Sequence, residues 1–575
     1  MFRKSSTSCQ LDIFSSNLSF FKGRSLKLYE NEQSWHNQFF LQVTKRIDED
    51  MFRVLFREDF GAPNSPVRVL VGMMILKEGQ GLSDAQLFEN VRYNILYRRS
   101  LGLLNMNDAT PAESTYYLLR KHIVEWEKST DENLLDKVFS QVTKSQALDF
   151  HVCGKKIRMD SKLISSNISF YSRYELIHET LRNAYIKVVR NALSRLSLNE
   201  SEIALLERIS EETGNKVSYR SSKTEITSQL VQIGLIINKI LSQMGDHPSK
   251  IMQTLSGVFS EQYRTDESVV ILRDKEEISA ASIQSPHDTD CHFRKKDEQK
   301  VKGYSINITE TCDKDRPCEA SAVTDTVPSL NLITSVLVDV ATAADSEFLQ
   351  PAVEATREVI AGTIETINAD GAYHSVDNQA YCRNQQTPVD LVLGAIQGKE
   401  SRYDLCLDDH HQLVVTDMTT NTIVEVRQVK TRKEDTSPKW AIKNEKGQIR
   451  YFSQKEIDTC LLRKLIGART QDELNVRNNV EATIFQLGYH YSNAKSRYRG
   501  LVKHQMWANV RCLWINFVRI TNFVAGGGSK CVQNVKNGLI VCKILMYFIK
   551  QRYTLVSVKT FSSRWSEKRV WSDFF

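Results

Sequence analysis

Residues 155–164, KKIRMDSKLI, are the stretch from which the fold is predicted. Apolar Ile157, Met159 and Leu163 alternate along it with charged side chains, as in a strand that has one buried face. Asp160 lies in the middle of this strand, although aspartate is disfavoured inside strands. Its ordinary interpretation is a solvated residue on the outer face, and its functional interpretation is an acid at a site built on a sheet.

Elements on both sides of this strand predict an α/β fold. A helical pattern occupies residues 51–145 before it, and another occupies residues 170–262 after it. The later predicted elements are strands at 303–311 and 331–341, a helix at 345–360 and a strand at 363–369. Residues 385–455 predict short hairpins around Thr420-Asn421 and Lys446-Gly447, so they form a β-rich insertion before a final helical stretch.

Three helix starts are predicted in the N-terminal region. Ser65 precedes Pro66 as a cap, and residues 83–86 and 110–113 have the spacing of capping boxes. Short helices joined by tight turns fit a helix-turn-helix-like DNA-binding unit and a plain helical bundle equally. The spacing does not choose between them.

Charge and cysteine content restrict the class of protein. Residues 482–575 contain 15 Lys and Arg but only two acids, while the net charge of the chain is +7, so a basic C-terminal end follows an acidic body. This asymmetry indicates a polyanionic partner. The 11 cysteines lack paired C-x-x-C spacing and predict free thiols in a reducing cytosol. The apolar run 538–549 is too short to span a bilayer.

Two further acids occupy positions that combine with Asp160. Asp370 follows a predicted strand and precedes Gly371, and Glu481 lies on a predicted helix four residues after Arg477. Taken alone, Asp370 fits an ordinary turn and Glu481 fits a surface ion pair. Acids on a first strand, at the end of a later strand and on a later helix can converge at one edge of a sheet. Converging carboxylates need a cation, and a pair of Mg²⁺ ions can then stabilise both oxygens of an in-line phosphoryl transfer.

The segments around these acids carry a family resemblance. They are residues 56–123, MDSKLISSN at 159–167, SPHDTD at 285–290 with RKK at 294–296 and KGY at 302–304, NADGAY at 368–373 and RNNVEA at 477–482. In this order they resemble bacterial insertion-sequence DDE transposases that have an InsH-type N-terminal domain. The chain departs from the wider superfamily pattern at Leu474, where Tyr is frequent, and at Gly488, where Lys is frequent.

The resemblance implies an RNase H-like catalytic core with Asp160, Asp370 and Glu481 as its catalytic and metal-binding residues. It also implies two Mg²⁺ or Mn²⁺ ions, with Asp160 shared between them. The implied partners are double-stranded DNA, as transposon terminal repeats and as target, and a second copy in a homodimeric DNA complex. No membrane is implied, and the expected location is the cytoplasm, in association with the nucleoid.

The resemblance and the patterns together divide the chain into predicted units. These are a poorly defined segment 1–50, a helical DNA-binding domain 51–150, an RNase H-like core 151–384 and 456–525 with a helical insertion 170–262, a β-rich insertion 385–455 and a basic tail 526–575. The predicted DNA-binding residues are Arg477, Lys495, Arg497, Arg499, Lys503, Arg294, Lys295, Lys296 and Lys302. Solvated surface loops are the alternative interpretation of these basic clusters.

Two other functions remain open at the level of sequence. One is a catalytically inactive, transposase-derived DNA-binding protein, which would bind element ends without metal-dependent nicking. The other is a general RNase H-like nuclease, which would cut DNA that lacks terminal repeats.

Overall fold

The computed structural model describes residues 2–4, 21–57, 63–105, 107–266, 269–296, 298–313, 316–317, 326–327, 329–396, 398, 401–408, 412–429, 439–443, 447–488 and 495–526. The predicted tail beyond Gly526, which includes the apolar run 538–549, lies outside the described residues. Within the described ranges, no helix is both long and apolar enough to cross a membrane.

The N-terminal region is helical. Its helices are α1 Gly23–Glu30, α2 Trp35–Gln42, α3 Val67–Gln80, α4 Asp84–Tyr93, α5 Ile95–Ser100, α6 Glu113–Thr130 and α7 Leu134–Asp149. The capping box before α4 is confirmed, because Ser83 and Gln86 make both of its bonds. The other two predicted caps are wrong: Pro66 and Ala112 occupy the cap positions, and neither provides a side-chain bond. The helices begin one or two residues later than predicted.

The predicted strand around Asp160 is confirmed as β1, Lys156–Ser165. A helical block with its own apolar core follows, in which Ile177, Leu206, Ile237 and Leu255 are fully buried. Its elements are α8 Arg173–Lys187, α9 Glu200–Glu211, α10 Gly214–Arg220, α11 Lys223–Met244, α12 Lys250–Gln262 and the hairpin β2 Tyr263–Asp266 and β3 Val269–Leu272.

The next part of the chain supplies the remaining strands of the main sheet, two helices and a separate two-stranded pair. The elements are β4 His292–Lys296, β5 Gln299–Thr311, β6 Arg316–Pro317, β7 Thr326–Val327, β8 Ile333–Val340, α13 Leu349–Val359, β9 Thr366–Ala369, α14 Val376–Arg383 and β10 Asp390–Leu393. The strand order is β10-β9-β1-β5, and both β4 and β8 pair with β5. Strands β9 and β10 run parallel to the direction of β1, whereas β5 is antiparallel to β1 and β8 is antiparallel to β5.

The last described part contains two small sheets and four helices. The predicted hairpins are confirmed in β11 Tyr403–Leu407, β12 Leu413–Asp417, β13 Thr422–Val424, β14 Val426–Val429, β15 Lys439–Lys443 and β16 Ile449–Ser453. The helices are α15 Gln454–Ala468, α16 Gln471–Asn475, α17 Val480–Leu487 and α18 Leu501–Ala525.

Helix α18 joins the N-terminal helices to the sheet. One apolar core contains side chains of α3, α6 and α7, of β5 and β8, and of α18 itself. Helix α3 is buried on nearly all sides, as expected for an apolar helix at the centre of a bundle. A methyl group added at Gly79 of α3 would lie 2.1 Å from the Trp514 ring of α18, so the two helices meet at close range. The sheet and the N-terminal helices are therefore packed as one body around α18.

Candidate active site

Strand pairing places Asp160 and Asp370 side by side. Arg158 of β1 is paired with Asn368 of the parallel strand β9. Asp160 and Asp370 each follow two positions later, so they lie side by side at the ends of adjacent strands. The Asp370 carboxylate accepts a hydrogen bond of 2.6 Å from the Gly371 amide, which starts a tight turn. A side chain at Gly371 would meet the Ala395 carbonyl oxygen at 2.2 Å, so glycine is required for this turn to fit.

The third acid reaches the same place from a helix. Glu481 lies in the first turn of α17, and Arg477 lies on the short 3₁₀ turn that precedes this helix. The Arg477 guanidinium lies 3.6 Å from Asp160, 3.5 Å from Asp370 and 4.0 Å from Glu481. The three acids therefore converge on a single positive group, and Arg477 offsets part of their negative charge.

The donor atoms around Arg477 suit a hard divalent cation, because all of them are carboxylate oxygens. The acids are not yet assembled as a closed metal site, since no group of three His, Cys, Asp or Glu in the described ranges stands close enough to hold an ion. Glu481 is also open to solvent, with 66% of its side chain exposed, against 17% for Asp160. The oxygen donors fit a divalent cation in their chemistry, and in this structure the Arg477 guanidinium lies between the carboxylates.

Asp160 has the electrostatic character of a functional carboxyl. Burial raises its pKa to about 6, the neighbouring Asp370 adds to this effect, and Arg477 opposes it. Its carboxylate accepts a 2.8 Å bond from the Ser161 amide, and the Ser161 hydroxyl donates at 2.6 Å to Asp345. Asp345 is thus a further acid beside β1 that the sequence did not single out.

The aromatic residue of the NADGAY segment anchors the turn after Asp370. Tyr373 is fully buried, and its hydroxyl accepts a 2.5 Å hydrogen bond from the Asn307 side chain of β5. Burial raises the pKa of Tyr373 well above its usual value, and Asp160 contributes to the increase. The hydroxyl therefore stays protonated and holds the turn against the sheet.

A buried ionic network fixes the helix that carries Glu481. Glu310 of β5 is fully buried and pairs at 2.6 Å with both Arg158 of β1 and Arg519 of α18. Thr483 of α17 donates to Glu310 at 2.8 Å, and Arg158 donates to the Val476 carbonyl at 3.1 Å. Burial alone would raise the pKa of Glu310, but the two guanidinium groups outweigh it and the pKa is lowered. Sequence analysis missed this network, although an acid inside the predicted strand 303–311 was a visible signal.

Most of the cations predicted to bind DNA contact the protein itself. Five of them donate to main-chain carbonyls at 2.7–3.1 Å: Arg294 to Ala341 and Ala343, Lys302 to Tyr171, Lys495 to Ile168, Arg497 to Leu82 and Arg499 to Asn167. Lys295 and Lys296 are exposed at the tip of the β4–β5 hairpin, and Lys503 lines a cavity beside α6. Arg477 lies among the acids, as described above.

Comparison with known proteins gives one family match. Residues 28–122 match the family described as Transposase domain (DUF772), a range that extends from within α1 into α6 and begins before the predicted boundary at residue 51. No curated protein matches the chain.

One solved structure shows a weak likeness, the cryo-EM structure of a piggyBac transposase synaptic complex with hairpin DNA. The two chains are 9% identical, and the match covers 87% of this chain and 78% of the piggyBac chain. The TM-score is 0.25, which is too low to support an argument. The family match shows that the N-terminal helices are similar to a transposase domain.

Proposed function

We propose that the chain is a DDE transposase that cleaves insertion-sequence DNA and joins it to target DNA. The observation that carries the proposal is the convergence of Asp160, Asp370 and Glu481, from three distant parts of the chain, on one guanidinium group. The transposase-domain match at residues 28–122 supports the same class. The sheet, with an antiparallel β1-β5-β8 part and parallel β9 and β10, is compatible with the RNase H-like core that the resemblance predicts.

The acids would hold two Mg²⁺ or Mn²⁺ ions, with Asp160 shared and Asp370 and Glu481 each completing one site. Such ions, when bound, stabilise the attacking and leaving oxygens of a phosphodiester displacement. Arg477 would leave the acids and either hold a DNA phosphate or orient Glu481. In the proposed sequence, water attacks the phosphodiester at the element's end, and the freed 3′ hydroxyl then attacks target DNA in a transesterification. Double-stranded DNA and a second copy of the chain are the proposed partners.

The test is cleavage of a plasmid that carries the element's terminal repeats, in buffer containing Mg²⁺ or Mn²⁺. Asp160→Asn, Asp370→Asn and Glu481→Gln are each expected to reduce cleavage by about a thousandfold or more, a loss of ~4 kcal/mol of transition-state stabilisation. Binding to the repeats, measured by gel shift, is expected to persist. Asp390→Asn is the matched control, because Asp390 of β10 pairs with Arg469 and, among the described residues, forms no salt bridge with Arg477. Full cleavage by any of the three acid variants would refute the assignment.

One observation favours a second candidate, an inactive transposase-derived DNA-binding protein. The Arg477 guanidinium already occupies the position between the acids, and no ready metal cluster is found among the described residues. Such a protein would shift the repeat DNA in a gel and leave the plasmid intact at every metal concentration. Equal cutting of a plasmid without the repeats would instead identify a general nuclease.

A further inference from the structure

Helix α17 runs beside β1, and its two ends meet different side chains of that strand. Arg158, Asp160 and Lys162 occupy alternate positions of β1, so they project from the same face of the sheet. Arg158 donates to the Val476 carbonyl just before the helix, whereas the Lys162 ammonium lies at the helix end. A helix of eight residues spans about 12 Å, close to the roughly 13 Å between residues 158 and 162 of a strand. The helix therefore lies along the strand, with its C-terminal end beside Lys162.

The end of α17 leaves room for the Lys162 ammonium because residue 488 is glycine. A side chain at Gly488 would begin 3.5 Å from the Lys162 Nζ atom. Apart from its chain neighbours, no other atom of the described residues would lie within 4 Å of it. Gly488 is also a position at which the chain departs from the superfamily pattern, since lysine is frequent there. A positive group is thus present at the end of α17, and β1 supplies it.

The Lys162 ammonium has no partner within the described part of the chain, where it forms neither a hydrogen bond nor a salt bridge. The segment 489–494, YHYSNA, which follows the helix, contains no carboxylate. The ammonium is not needed to satisfy the end of α17, because Arg511 donates to the carbonyls of Gln486 at 2.6 Å and Leu487 at 3.3 Å. Lys162 is therefore a partly buried cation on the face of Asp160 that favours an anion from outside the chain.

We propose that Lys162 is a positioning residue that binds a backbone phosphate of the DNA close to the phosphate that is cleaved. Two residues of a strand cover about 6.6 Å. Successive phosphates of one DNA strand lie about 3.4 Å apart along the duplex axis, so a phosphate at Lys162 is one or two nucleotides from the phosphate at Asp160. The contact fixes the register of the DNA strand at the acids.

DNA as the ligand rests on the proposed function, whereas the contact at Lys162 needs neither a metal ion nor cleavage. Binding in metal-free buffer therefore tests the contact separately from the chemistry of the acids.

The first test measures binding of the full chain to a dye-labelled duplex that carries one cleavage site of the element, by fluorescence anisotropy in metal-free buffer. Lys162→Gln is expected to weaken binding about tenfold and to lower the slope of log affinity against log salt by about 0.9, because one charged contact is lost. Lys144→Gln is the matched control and should keep the affinity, because Lys144 is exposed on α7, outside β1 and α17. Circular dichroism establishes that each variant is folded. Unchanged affinity of the Lys162 variant would overturn the proposal.

Neutral phosphate analogues locate the contact on the DNA. A methylphosphonate at the phosphate that Lys162 binds is expected to weaken binding of the unaltered chain about tenfold, at one position within about two nucleotides of the cleaved phosphate. Lys162→Gln should show no further loss at that position and the full loss at other contacts, because the two changes remove the same interaction. Additive losses at every position would mean that the substitution acts through the fold, and would overturn the proposal.

A lysine placed at residue 488 tests whether the positive charge itself is responsible. Gly488 has φ −94°, so its backbone accepts any side chain. In the Lys162→Gln background, Gly488→Lys is expected to restore the affinity to within about threefold and to restore the salt dependence. Gly488→Gln in the same background is the neutral control and is expected to restore neither. Equal affinity of the two double variants would overturn the proposal.

Failure of this proposal and failure of the proposed function give different results. Asp160→Asn is expected to abolish cleavage and to keep the phosphate position at which Lys162 makes its contact. A chain that binds the duplex with this contact but never cleaves it would refute the enzyme and support the contact. No binding of the duplex by the unaltered chain would overturn both.

Discussion

Thr483→Val tests whether the buried Glu310 network holds the Glu481 helix in place. The Thr483 hydroxyl donates to Glu310 at 2.8 Å and accepts from Arg519 at 2.5 Å, inside an almost fully buried site. Valine has a similar shape and removes both bonds. A hydrogen bond to a buried charged group contributes about 1.5–3 kcal/mol, so local opening of α17 should become roughly 10- to 150-fold more frequent.

Hydrogen–deuterium exchange of the α17 amides measures this opening directly. The exchange of α17 should accelerate by that factor, whereas the exchange of the β1 amides should stay within about twofold. Thr227→Val is the control, because its hydroxyl bonds the Lys223 carbonyl on the exposed face of α11. Unchanged exchange of α17 in the Thr483 variant would refute the claim that this network positions Glu481.

Three other substitutions test single features of the structure. The pKa of Asp160 is about 6, above the usual 3.8, so between these pH values the folded chain holds a proton that the unfolded chain has released. The stability that comes from this proton is fully present below pH 3.8 and is lost as the pH rises through 6. In metal-free buffer at pH 7.5, Asp160→Asn should therefore raise the free energy of unfolding by up to about 3 kcal/mol, and the melting temperature with it. At pH 4 the substitution should have little effect. Gly371→Ala should displace the Asp370 turn from Ala395, abolish plasmid cleavage and lower stability by about 1–3 kcal/mol in thermal unfolding. Gly79→Ala should push the Trp514 ring away from α3 and lower the melting temperature by a similar free energy, with a change in tryptophan fluorescence.

Sequence patterns were sufficient to predict the elements that carry the acids. Alternation around Asp160 predicted β1, and the Asp370-Gly371 pair correctly marked a strand end followed by a turn. These features are local, because a strand with one buried face and a tight turn each leave a signal within a few residues. Helix α17 was also predicted, and its apolar residues Val480 and Leu487 are buried as expected.

Contacts between distant segments could not be predicted in the same way. Spacing suggested only that Arg477 lies four residues from Glu481, whereas the fold brings its guanidinium to two strands as well. The register of β1 against β5 decides that Arg158 faces Glu310, and no local pattern specifies it. The Ile168 carbonyl that Lys495 contacts lies far from it in the sequence, so no local pattern could predict this hydrogen bond.

Iron-directed cleavage of the polypeptide tests the central claim that the three acids share one cation site. Fe²⁺ takes the same oxygen ligands as Mg²⁺ and, with ascorbate and peroxide, cuts the chain near the position where it is bound. Cuts near residues 160, 370 and 481 together, all suppressed by excess Mg²⁺ and by Asp160→Asn, are the predicted result. Cuts near only one of these segments, or cuts that persist in the Asp160 variant, would contradict the account.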